Sequence, residues 1–198
     1  MLSKVELFDV ASLQATPWKN GNGVTREVVR VPTHAELETF DWRVSIADLN
    51  ADASFSSFPG VDRVIALLEG AGAHMRSHDG TLDHRLSTPL QPFSFSGDQP
   101  IDSALIVGPS RDFNVMTRRS QARADVRVVR DTAQIEESES GLLFAARGRW
   151  RAEDESGRRA FSFAPGAGVW WDGQLLGWEL TPSDVDNALI AVRIMRMG

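Results

Sequence analysis

Val64-Ile65-Ala66-Leu67-Leu68-Glu69-Gly70, followed by Ala73-His74-Met75-Arg76, has a counterpart in Gly141-Leu142-Leu143-Phe144-Ala145-Ala146-Arg147-Gly148, followed by Trp150-Arg151-Ala152-Glu153. Each reads as an apolar β-type run, a glycine-containing turn and a returning strand. Farther along, Pro92-Phe93-Ser94-Phe95-Ser96-Gly97-Asp98 corresponds loosely to Gly168-Val169-Trp170-Trp171-Asp172-Gly173, and two more strands come after each. The chain therefore carries two diverged copies of one β unit.

The rest of the sequence agrees. Period-two or continuously apolar runs occupy 5–10, 24–31, 41–48, 62–68, 73–77, 92–96, 102–107, 113–117, 125–130, 142–146, 149–153, 160–163, 168–172, 175–180 and 188–195, with Gly, Pro, Asp and Ser clusters between them. The helical candidates, His34-Ala35-Glu36-Leu37-Glu38 and Ser183-Asp184-Val185-Asp186, are one turn each. The acidic segment Glu136-Glu137-Ser138-Glu139-Ser140-Gly141 reads as an exposed turn. Many short strands joined by tight turns predict an all-β sandwich, jelly roll or barrel.

Composition bounds the function. With 198 residues, 42% hydrophobic and 24% charged, the chain is long enough for a substantial core. The 21 basic and 27 acidic residues leave a net charge of -6, which argues against a partner bound through nucleic-acid phosphates. There is no cysteine, hence no disulfide, thiol nucleophile or thiolate metal site. Charges within Met1-Leu2-Ser3-Lys4-Val5-Glu6-Leu7-Phe8-Asp9 stand where a signal peptide needs an apolar run, and no long apolar stretch follows. The expectation is a cytoplasmic protein with no membrane partner.

The polar residues concentrate in the first copy. In Thr16-Pro17-Trp18-Lys19-Asn20-Gly21-Asn22-Gly23-Val24-Thr25-Arg26-Glu27-Val28-Val29, a turn-rich loop runs into a strand that puts Thr25, Glu27 and Val29 on one face. Trp42-Arg43-Val44-Ser45-Ile46 puts Arg43 and Ser45 together, on a face that one strand cannot identify as inward or outward. An inward arginine among aliphatic neighbours needs a carboxylate partner or a carboxylate ligand. Glu27 could pair with one arginine and leave another free. Arg63 begins its strand directly after Phe58-Pro59-Gly60, which predicts a place at a barrel rim. The second copy offers Phe144, Phe161, Phe163, Trp170, Trp171 and Trp178 instead.

Metal and nucleophile chemistry find little support. The histidines are His34, His74, His78 and His84; on one strand His74 and His78 stand about 13 Å apart, too far to share a metal at about 2.1 Å per bond, although a turn between them would change that. Nucleophile-elbow, phosphate-loop and dinucleotide fingerprints are absent. Glu27 with Asp48 or Asp112 is a conceivable acid/base pair at strand ends. No catalytic residue, metal or cofactor is assigned.

Six segments taken in order add a further reading. Trp18-Lys19-Asn20-Gly21 with Thr25-Arg26-Glu27, Trp42-Arg43-Val44-Ser45-Ile46-Ala47, Phe55 with Phe58-Pro59-Gly60-Val61-Asp62-Arg63, Leu67-Leu68-Glu69-Gly70, Gln91-Pro92-Phe93-Ser94-Phe95 and Asp112-Phe113-Asn114-Val115-Met116-Thr117-Arg118 resemble the HutD/Ves family over nearly the whole chain. The resemblance implies a cupin-type double β-barrel, a jelly-roll-like bicupin in one chain. Its expected division is an N-terminal barrel with the pocket at 1–120 and a C-terminal barrel at 121–198, with strand exchange between the halves allowed. The usual cupin His-x-His metal pattern is missing.

The resemblance also implies a protein of bacterial histidine utilisation that binds a small anionic metabolite, urocanate or a formyl- or formimino-glutamate, in a regulatory role. Side-chain chemistry suggests how. Arg63 and Arg43 would engage carboxylate oxygens, Asn20 and Asn114 would hydrogen-bond an amide-like or imidazole group, and Thr25 and Ser45 would orient it. Glu27 would accept an N–H or hold an arginine, and Trp18 would cover the entrance. Two other classes compete: a metal-independent cupin isomerase, lyase or hydrolase with Glu27 as base, and an interaction protein that forms a homodimer through the Trp-rich strands of its second barrel.

Overall fold

The computed structural model describes residues 4–36 and 38–197. Strands run β1 (Lys4–Asp9), β2 (Ala15–Pro17), β3 (Gly23–Val31), β4 (Trp42–Leu49), β5 (Ala53–Phe55), β6 (Val61–Glu69), β7 (Ala73–Ser77), β8 (Asp83–Leu86), β9 (Phe93–Ser96), β10 (Ile101–Leu105), β11 (Ser110–Arg118) and β12 (Ala122–Val129). They continue with β13 (Ala133–Arg147), β14 (Trp150–Asp154), β15 (Ala160–Phe163), β16 (Ala167–Pro182) and β17 (Ala188–Arg196). The only helix among the described residues is a 3-10 turn at Val10–Ser12. Both helical candidates are turns or bends instead, and Leu37 in the first lies outside the described residues. None of the described helices is long and apolar enough to cross a membrane.

Two compact units emerge, one formed by Leu13–Arg123 with Arg196 and Met197 and the other by Ala124–Met195 with β1 and the 3-10 turn. The first unit has two sheets, β2-β3-β4-β11-β6-β9 and β5-β10-β7-β8. The second has one sheet, β12-β17-β13-β16-β14-β15, with β1 on β16. The N-terminal strand thus belongs with the C-terminal half, because β1 pairs along β16 from Lys4↔Asp172 to Asp9↔Ala167.

The same pairing pattern recurs in both units. β6 pairs with β9 and β11 as β13 pairs with β16 and β17, and β7 pairs with β8 and β10 as β14 pairs with β15 and β16. The returning strands after Gly70 and Gly148 do not pair back on the strands before them; each crosses to another part of its unit. Positive φ at Gly70 (89°) and Gly148 (66°) makes that reversal, a conformation that costs glycine little.

Two expectations from the sequence need correcting. Glu136–Gly141 is part of β13, not a turn: irregular pairing sends Glu136, Glu137 and Glu139 to solvent while Ser138 and Ser140 are buried. Ser140 Oγ donates to Asp172 at 2.6 Å, and Trp171 Nε1 donates to the Ser138 carbonyl at 2.9 Å. The runs 168–172 and 175–180 likewise form one strand, bent at Gly173 with φ 71°.

Each unit has its own core. In the first, Leu49, Ile65, Leu67 and Phe95 of one sheet meet Phe55, Met75, Leu86 and Ile101 of the other. The β6 face that carries Arg63, Ile65 and Leu67 therefore points inward. In the second, Trp150, Trp171 and Trp178 fill the interior with Leu143, Phe163 and Leu180.

Candidate functional site

Strand register assembles a polar interior in the first unit. Residues opposite one another in a sheet share a face, so the pairings define three successive rows. Phe95, Arg63, Met116, Arg43 and Arg30 form one; Ile65, Asn114, Ser45 and Glu27 form the next; Leu67, Asp112, Ala47 and Thr25 form the third. A bulge between Glu27 and Val29 inserts one residue into β3. It turns Val29 to the face of Val44 and brings Arg30 in beside Glu27, whereas simple alternation put Val29 with Glu27.

Glu27 is shared by two arginines. Its Oε2 lies 2.7 Å from Arg43 Nε and its Oε1 3.2 Å from Arg30 Nε, and Arg43 Nη1 also reaches Met116 Sδ at 3.6 Å. Glu27 is an anchor for Arg43, whose Nε donates to it, while Arg30 Nε approaches within ion-pair distance without a hydrogen bond. The carboxylate taken up by Arg43 is then not available to Arg63.

Arg63 is buried rather than rim-exposed, with 6% of its surface accessible. Its guanidinium lies 5.1 Å from the Phe55 ring and 5.0 Å from the Phe95 ring, one phenyl from each sheet. Its Nε finds no hydrogen-bond partner among the described residues. Burial lowers its pKa to about 10, partly opposed by Asp112 and reinforced by Arg43. Two phenyl faces attract a cation but satisfy none of its five N–H donors.

Asp112 is the complementary oddity. At 2% exposure its carboxyl is pushed by burial up to about 7; Arg63 pulls it down and Asp48 pushes it further up. Arg63 and Asp112 influence each other through space and not through a contact ion pair. Two residues along the same strand, Asn114 is also buried, and its Oδ1 has no partner. From the inner side of the opposite sheet, Ser103, in register with Met75, is buried with an unpartnered Oγ. Buried polar groups normally find partners, so several orphans in one barrel interior mark a place for something polar.

The other anticipated residues divide. Trp18 donates from Nε1 to Thr25 Oγ1 at 2.7 Å and meets the Phe55 ring edge-on at 6.4 Å, so it walls the interior. Gly23 makes this packing feasible, since a Cβ there would lie 2.9 Å from the Trp18 ring. Ser45 is buried in the Asn114 row. Asn20 is not brought in: it is exposed, and its Oδ1 accepts from the Asn22 backbone N–H within its own loop. Sequence reasoning missed Phe55 and Phe95 as the cation's stacking partners. It weighed Asp112 only as a strand-end acid, although alternation with Asn114 already put the two on one face. Phe95 also lines a cleft of about 430 Å³ with Leu82, His84, Phe93 and Ile101.

The histidines near the hairpin are otherwise employed. His74 pairs with Asp83 at 2.5 Å, His78 with Asp102 at 3.0 Å, and His84 stacks on Phe93 at 3.5 Å. Among the described residues no group of three or more His, Cys, Asp or Glu could hold a metal ion.

The second unit shows what the same frame becomes without this interior. With Gly70 matched to Gly148, Arg63 opposite Phe95 corresponds to Gly141 opposite Trp171. Asn114 opposite Ile65 corresponds to Ala191 opposite Leu143, and Asp112 opposite Leu67 to Leu189 opposite Ala145. A Cβ on Gly141 would lie 2.5 Å from the Trp171 ring, so indole fills the volume in place of a side chain from β13. The fold does not require the three polar residues.

These features define an all-β cupin protein of two barrels in which one interior is apolar and the other holds a buried cation with no carboxylate in contact. The chain belongs to the HutD family, whose profile matches residues 10–188. Protein Ves of Escherichia fergusonii is 37% identical over 171 residues, covering 86% of this chain and 85% of that protein. Protein Ves of Cronobacter sakazakii is 35% identical over 190 residues, covering 89% and 99%. The structure of HutD from Pseudomonas fluorescens SBW25 (formate condition) superposes with a TM-score of 0.84 at 30% identity, covering 98% of this chain and 100% of that one. The oxalate decarboxylase of Lactobacillus farciminis, with a TM-score of 0.68 at 9% identity over 100% of this chain and 89% of that one, shares the fold.

Proposed function

We propose that the first barrel binds a small carboxylate metabolite, with Arg63 as its anchor, and that the protein is a ligand-responsive regulator of histidine utilisation. The observation that carries this is Arg63 itself: a buried guanidinium between two phenyl rings, with an unpartnered Nε and no carboxylate in contact. A ligand carboxylate would supply two parallel charge-assisted bonds, and Asn114 Oδ1 would accept an N–H from the remainder of the molecule. Urocanate and formyl- or formimino-glutamate all carry a carboxylate, and membership of the HutD family favours histidine-degradation intermediates. The -6 net charge gives no long-range attraction for anions, so selectivity would come from the interior.

The test is calorimetric titration of wild type, Arg63→Ala and Arg63→Lys with urocanate and N-formylglutamate. Loss of a charge-assisted pair in a desolvated site should cost about 2–5 kcal/mol, and lysine, a point charge, should restore only part. Wild-type affinity in Arg63→Ala would remove the residue from any site. Conversion of either compound by the pure protein would favour the enzymatic class instead.

A further inference from the structure

We infer that Asp112 is a binding residue of this same site, taking up a proton as a carboxylate docks on Arg63 and presenting that proton to a hydrogen-bond acceptor on the ligand. The inference rests on the carboxylate reading above. It begins with geometry: Asp112 and Asn114 stand two residues apart on β11, both inward and both nearly inaccessible, in the two rows beyond that of Arg63. The sister barrel has Leu189 and Ala191 there, so neither side chain serves the frame.

The charges around Asp112 are few. Arg63 stands two rows away on β6, where Leu67 and not Arg63 is opposite Asp112, and acts on it through space, while Arg43 and Arg30 reach the interior from β4 and β3 but are tied to Glu27. Asp48 is held by Arg26 at 2.5 Å and Arg111 at 2.6 Å. From the second sheet, His84 is in register with Met75 and stacked on Phe93. Arg63 is thus the cation that favours ionised Asp112, against burial and the repulsion of Asp48. A ligand carboxylate on Arg63 cancels that support and further excludes water. The charged form of Asp112 then has no compensation, and it takes a proton from solvent. Neutral Asp112 presents one O–H donor, which suits a ligand bearing a carbonyl or second carboxylate oxygen. A ligand offering an N–H cation at that point would do the reverse and drive proton release.

With Asp112 at about 7 in the empty site and higher when occupied, binding is independent of pH well below 7 and weakens above it, by up to about tenfold per pH unit. The experiment is titration with N-formylglutamate at about pH 6 and about pH 8, in buffers of low and high ionisation enthalpy, for wild type, Asp112→Asn and Arg63→Gln. Wild type should take up close to one proton at the higher pH and almost none at the lower. Asp112→Asn, near-isosteric, should take up none, and its affinity should no longer fall with pH. The wild-type proton count tests the inference even if the variant folds poorly. Proton release, no uptake by wild type, or undiminished uptake in Asp112→Asn overturns the role of Asp112. Equal binding by wild type and Arg63→Gln, or no binding by either, overturns the carboxylate reading and this inference with it.

Discussion

Replacing Arg63 by methionine should make the empty protein more stable, the opposite of what removing a buried side chain usually does. The fall of the Arg63 guanidinium from its ordinary value to about 10, at about 1.4 kcal/mol per pH unit, corresponds to about 3 kcal/mol against the charged form in the fold. Losing the attraction of the Phe55 and Phe95 rings offsets about 1–2 kcal/mol, part of which the methionine thioether recovers against the same rings. The net gain should be about 1–3 kcal/mol. For a chain of this size each kcal/mol moves the midpoint by about 2–4 °C, so thermal unfolding of Arg63→Met should shift upward by roughly 2–12 °C. Because the folded pKa of Arg63 is depressed, the penalty is fully present below about 10 and is relieved only as pH rises through that value. The advantage of the variant should accordingly be constant across neutral pH. The variant should also lose any stabilisation by added carboxylate. A variant less stable than wild type by about 1 kcal/mol or more would show that Arg63 has a structural partner and would refute the account of it as a buried cation with no carboxylate in contact.

Three further outcomes are expected. Asp112→Asn should flatten the pH dependence of stability: a carboxyl raised to about 7 in the fold costs stability progressively as pH rises from about 4 to about 7, so chemical denaturation should show the variant gaining on wild type over that interval and holding its lead above it. Gly141→Ala should destabilise by about 1–3 kcal/mol, read as a lower denaturation midpoint, because its Cβ would lie 2.5 Å from the Trp171 ring and 2.5 Å from the Val192 carbonyl. Chelators should change neither melting temperature nor carboxylate binding, and elemental analysis finding about one transition metal per chain would contradict the reading of His74 and His78 as partners of Asp83 and Asp102.

What the sequence revealed and concealed has physical causes. Gly70 and Gly148 announced the repeat because only a residue tolerant of positive φ serves such a reversal, and alternation placed Arg43 with Ser45 because side-chain direction along a strand is fixed by its pleat. The β3 bulge was hidden, since one extra residue leaves no mark in Glu27-Val28-Val29-Arg30, yet it decides that Arg30 joins Glu27. Phe55 and Phe95 come from strands far apart in sequence, and only closure of two sheets brings their rings to either side of Arg63. Asn20 had suitable chemistry, but a short side chain in a tight loop hydrogen-bonds its own backbone first. β13 was misjudged at Glu136–Ser140 because three exposed carboxylates there mask two buried serines.

Trp18 gives the molecule an optical property of its own. Of the six tryptophans, Trp42, Trp150, Trp170, Trp171 and Trp178 are all buried, at 0%, 1%, 5%, 0% and 1% exposure, and Trp18 is the partly accessible indole. An aqueous quencher should therefore extinguish emission from essentially one fluorophore. That fluorophore touches the Phe55 ring that stacks on Arg63, so the quenchable fraction of native emission becomes a label-free gauge of occupancy in the first barrel while the second barrel supplies a constant internal reference.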